Sequence, residues 1–85
     1  MTDVANLALR TELEAVIARH NLRFPHERAR VVEAACELIA TVEDDKLRLG
    51  HVRFVSRMVG TDVFTVNKLT NEHRDRRGEA SNAIK

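Results

Sequence analysis

The side chains of this 85-residue sequence with reactive chemistry are one cysteine, four histidines and a run of three acids. Cys36 lies among Ala34, Ala35, Leu38 and Ile39. Those neighbours mark a buried, inert thiol, because a nucleophilic cysteine needs an electropositive, partly exposed setting. His20, His26, His51 and His73 give no tight ligand pair, and Cys36 has no ligand beside it, so no metal is expected. Glu43-Asp44-Asp45 reads as a solvated acidic turn. No glycine-rich phosphate loop and no Ser-His-Asp arrangement stands out. The sequence gives no positive support to an enzyme, and no cofactor is expected.

A second set of residues is suited to recognition rather than reaction. Asn67, Lys68 and Asn71 fall within five positions, close behind Val63 and Phe64. Asn can pair with adenine through two hydrogen bonds, Lys can donate to guanine acceptors, and an apolar side chain can touch a thymine methyl. These five are the candidate base-contacting residues. Arg53, Arg57, Arg74, Arg76 and Arg77 are the candidate phosphate contacts, which supply affinity without reading sequence.

The charge distribution supports an anionic partner for one half of the chain. The net charge is only +1, yet residues 1–45 carry −4 and residues 46–77 carry +5. Such asymmetry points to an acidic ligand for the basic half. One cysteine excludes an internal disulfide framework and fits a reducing compartment. The opening Met1-Thr2-Asp3-Val4 lacks a signal-peptide pattern, and no run approaches the ~18 apolar residues of a membrane span. The expectation is a cytoplasmic bacterial protein, associated with nucleoid or plasmid.

The elements that must position these residues read as four helices, an all-α fold with a single helical DNA-binding domain over 1–77 and a flexible tail over 78–85. The first helix is expected over about Asp3 to His20, capped by Thr2 or Asp3. Its apolar stripe holds Leu7, Leu13, Val16 and Ile17, which are expected to form a homodimer interface. The second begins at Pro25, whose fixed φ suits a first helical position, with Glu27 in its first turn. Its stripe is Val31, Val32, Ala35, Leu38, Ile39 and Val42. Leu47 and Leu49 are placed in a connector broken by Gly50. A third helix is expected over about His51 to Val59, and a fourth over about Val63 to Arg74, capped by Asp62.

Residues 52–71 then fit a helix-turn-helix. Ser56 supplies a small residue where helices cross, Gly60 a residue tolerant of positive φ, and Val55, Val59, Val66 and Leu69 the buried contacts. In that motif the second helix enters the major groove.

The stretch Thr65-Val66, Leu69 and Asn71-Glu72-His73-Arg74, after Gly60, resembles the N-terminal DNA-binding domain of the KfrA-type plasmid regulators. Glu27 to Ala40 is similar to the Ala-rich helix that opens that domain, and Val52 to Val59 to its next helix. The resemblance covers about residues 27–77. His73 stands where the family has Trp, and Leu49-Gly50 replaces Pro-Thr. The resemblance implies a repressor or accessory factor of a plasmid or phage, binding double-stranded DNA by sequence. The alternative is a small helical adaptor or inhibitor that docks on another protein through Val63, Phe64 and the stripe of the first helix.

Overall fold

The computed structural model describes the backbone of residues 4–84 and the side chains of residues 6–77. It is all-α, with four helices: α1 (Val4–Ala18), α2 (Pro25–Ile39), α3 (Asp45–Val59) and α4 (Val63–Ile84). α2 and α3 pack on each other and form the centre. α1 packs against both, as does α4, while α1 and α4 share no contact among the described residues.

Each helix start follows from a local cause. α2 opens with Pro25 after an extended Phe24. α3 opens where the Asp44 carboxylate accepts from the amides of Lys46 and Leu47, at 2.8 and 3.1 Å. The acidic run is therefore the N-cap of the next helix, where acids complement the helix dipole. α4 opens where the Asp62 carboxylate accepts from the Thr65 amide at 3.1 Å.

α3 begins at Asp45 and not at His51, running straight through Gly50. One helical glycine costs about 1 kcal/mol relative to alanine. The Asp44 cap and the burial of Val52, Val55 and Val59 outweigh that. α2 ends at Ile39, leaving Val42 in the loop, and α1 ends at Ala18. α4 continues to Ile84, over residues expected as a tail; side chains from Gly78 onward lie outside the described residues. The proposed caps Thr2 and Asp3 lie outside them too.

The core is built from small aliphatic side chains of all four helices. Leu13, Val31, Ala35, Cys36, Ile39, Val52, Val55 and Val66 are wholly buried. Leu13, Val16 and Ile17, expected at a dimer interface, lie in this core instead. They fill the space between α1 and the α2–α3 pair, so within one chain they are unavailable to a second copy. Of that set, Leu7 alone is exposed.

Between α3 and α4, Gly60 adopts φ 80°, and its amide donates to the Ser56 carbonyl at 2.9 Å. The Ser56 hydroxyl donates to the Thr61 carbonyl. The turn has the expected local geometry. That geometry is common to any helix pair closed by a left-handed glycine, and does not by itself make α3–α4 a DNA-reading motif.

Candidate protein-docking surface

The arginines expected on phosphates divide into two groups. Arg74 is half-buried, and its Nη1 donates to the carbonyls of Ala40 and Val42 at 3.2 and 3.0 Å. It satisfies the exposed carbonyl end of α2, where a cation is favoured by the dipole. Arg48 reaches the loop after α2 from α3, donating to the Val42 and Glu43 carbonyls at 2.8 and 3.2 Å. Arg53, Arg57, Arg76 and Arg77 remain exposed.

Four of the five residues expected to read bases do share a face. Phe64, Asn67, Lys68 and Asn71 line one shallow groove along α4. Glu72 and Asp75 line it as well, and their carboxylates oppose a polyanion lying there. Val63 and Phe64 are solvent-exposed, at 39% and 73%. Phe64 therefore does not pack inward, and it sets an exposed aromatic ring at the head of an otherwise polar groove.

Exposed apolar residues gather around the α3–α4 turn. Met58, on the last turn of α3, is 49% exposed, and Val63 and Phe64 follow on the first turn of α4. The chain holds them within seven residues at one corner. A Phe side chain left in water forgoes about 1.5–3 kcal/mol of burial, which a partner can recover.

The outward face of α3 adjoins that corner. Lys46, Leu49, Gly50, Arg53 and Arg57 are all exposed. At 3.6 residues per turn they fall within an arc of about 100°. The buried residues His51, Val52, Val55 and Val59 occupy the opposite side, with Ser56 at the border. The face is hidden in the sequence because Leu47 and Leu49 read as a connector broken by Gly50, which starts the third helix only at His51. The signal that finds it is the spacing 46, 50, 53, 57, one helical face. On the other flank Glu12, Glu37 and Arg19 line a groove between α1 and α2 together with Ala15, Val16, Ala34 and Leu38.

The remaining reactive groups serve the fold. Cys36 is fully buried and its thiol donates to the Val66 carbonyl at 3.4 Å; burial pushes its pKa up. His73 bonds Glu33 at 2.8 Å, tying α4 to α2, and His20 bonds Glu27 at 2.9 Å, closing the α1–α2 connection. That hydrogen bond holds the Glu27 carboxyl below its ordinary range. Among the described residues no group of three or more His, Cys, Asp or Glu is assembled for a metal. No described helix is long and apolar enough to cross a membrane.

Residues 12–63 match the DnaB-helicase binding domain of primase. The match spans more than half of the sequence. The chain belongs to this family. The matched stretch takes in the second half of α1, all of α2 and α3, and the first residue of α4. No curated protein and no solved structure gives a significant match.

This membership overturns the resemblance to KfrA-type regulators and, with it, the reading of a repressor or transcription factor that binds DNA by sequence. The residues behind that resemblance lie mostly in α4, beyond the matched stretch. There Thr70 and Val66 are core residues, Arg74 is spent on α2, and Asn71-Glu72 stands beside a second acid. The property in the family's description is binding to a protein, which favours the adaptor alternative.

Proposed function

We propose that this chain is a helical docking module that binds a replicative helicase of the DnaB type, and that it does so as a binding module without catalysis of its own. The observation that carries this reading is the family match over residues 12–63. The geometry supplies the surface. The core is closed inside one chain, and the large apolar side chains left in water at the α3–α4 corner are Met58, Val63 and Phe64. Aromatic and methionine side chains presented on a rigid support serve as anchors at protein interfaces. A partner of this type acts in the cytoplasm, which supports a cytoplasmic location for this chain.

Co-sedimentation with the purified helicase hexamer tests the reading. The chain, at 9.7 kDa, should move with the far heavier helicase and return to the light fraction when Phe64 is replaced by a charged residue, Phe64→Glu. A chain that stays light at tens of micromolar helicase is outside the range of a functional docking module, and the reading fails.

A further inference from the structure

We infer that the outward face of α3 receives an acidic amphipathic helix of the partner, laid along Lys46, Leu49, Gly50, Arg53 and Arg57. This rests on the helicase-docking reading and specifies the chemistry of what docks. Every charged residue on that arc is basic, and none of the three makes an ion pair among the described residues. The stripe runs about 16 Å, three turns of helix, which matches a partner helix carrying acids at successive turns. Leu49 supplies an exposed apolar contact along one edge of it.

Gly50 supplies the geometry. A Cβ placed there meets nothing within 4 Å, so the glycine is not needed to pack this chain. In a helix interior it is unfavourable relative to alanine. A bare helical position facing solvent, flanked by cations, is what lets a second helix approach closely.

A duplex fits the same face less well. Glu43, Asp44 and Asp45 stand exposed at one end of the stripe and Asp62 beyond the other, so a phosphate backbone continuing along α3 meets carboxylates at both ends. A helix of three turns adjoins Asp44 and Asp45 alone, whose carboxylates are held by the first amides of α3 and by Arg48. Three cations are also few for a duplex site, where affinity scales with the number of phosphates neutralised.

The test uses the whole chain and the helicase, with affinities measured at low and moderate salt. Arg53→Glu with Arg57→Glu should weaken binding at least tenfold and flatten its salt dependence, while Arg76→Glu, exposed on α4, should leave affinity within twofold. Gly50→Leu should weaken binding at least fivefold while the chain itself melts no lower than the parent, an opposite pair of effects that loss of fold cannot produce. Binding by the parent that survives both changes overturns the inference and leaves the helicase reading standing. Absence of helicase binding by the parent overturns both. Displacement of the helicase by random duplex DNA from the parent, but not from the charge-reversed form, shows a polyanion site and overturns the acidic-helix assignment.

Discussion

The Arg74 guanidinium donates to the Val42 carbonyl at 3.0 Å, reaching from α4 to the loop that follows α2. A second bond from the same nitrogen reaches Ala40, the residue that ends α2. One side chain thus closes the carbonyl end of the central helix and holds α4 against it. Removing it leaves those carbonyls without their charged donor. Arg74→Ala should lower stability by ~1–2 kcal/mol, discounted for the partial exposure of the group. Denaturant unfolding checks this; an unchanged midpoint would show that the bonds contribute nothing.

Gly60 is the residue with positive φ among those described. A Cβ there would touch nothing within 4 Å, so the whole cost of a substitution is backbone strain. Gly60→Ala should destabilise by ~1 kcal/mol, a fall of roughly 4–8 °C in Tm for a domain of this size. Gly50→Ala, in ordinary helical φ, should do the reverse and raise Tm. Equal shifts for the two glycines would contradict the left-handed turn.

His51 is buried, and its Nε2 has no hydrogen-bond partner among the described residues. Its Nδ1 accepts from Nε of Arg10 at 3.5 Å, and the Arg10 guanidinium lies 4.1 Å above the centre of the Phe54 ring. Burial, and then the Arg10 charge, hold its pKa below 6.5. The unfolded chain therefore takes up this proton near pH 6.5 while the folded chain resists it. Stability should be complete above pH 7 and decline as pH falls from 7 toward 5.5. Urea unfolding across that range reads the effect, and His51→Leu should flatten the slope. A parent chain equally stable at both ends of the range would show that His51 is not held neutral.

Much of the fold was legible in the sequence, for reasons that differ by element. α2 was clear because Pro25, Glu27 and an apolar stripe at 31, 32, 35 and 39 agree on one helix. The α3–α4 turn was clear because Gly60 is followed by a capping Asp62. The start of α3 was not, because Gly50 reads as a break and only the Asp44 cap with long-range burial overrides it. Arg74 was misassigned because an arginine that caps a distant helix has the same local sequence as one that meets a phosphate. The stripe of α1 was recognised as apolar, but whether such a stripe faces its own domain or a second copy depends on packing that spacing does not encode. The exposed corner was noticed through Phe64, and its meaning as a protein surface came from the family match and from the acids beside it.

Phe64 is 73% exposed and holds no partner helix in place, so its loss should separate binding from folding. Phe64→Ala should change stability by less than ~0.5 kcal/mol. The same change should weaken helicase binding by about tenfold, some 1–2 kcal/mol, as expected for an aromatic anchor. Calorimetric unfolding and a binding isotherm on one preparation give both values. A large loss of stability would mean that Phe64 serves the core; unchanged affinity would remove it from the interface.

The central claim is that the partner is a helicase and not a DNA sequence. The direct measurement is fluorescence anisotropy of the labelled chain, titrated in parallel with DnaB-type helicase hexamer and with duplex DNA pools of varied sequence at one salt concentration. The account predicts saturable binding to the helicase, and at most weak, salt-sensitive binding to duplexes with no preference among sequences. Sequence-selective duplex binding with no response to the helicase would contradict it.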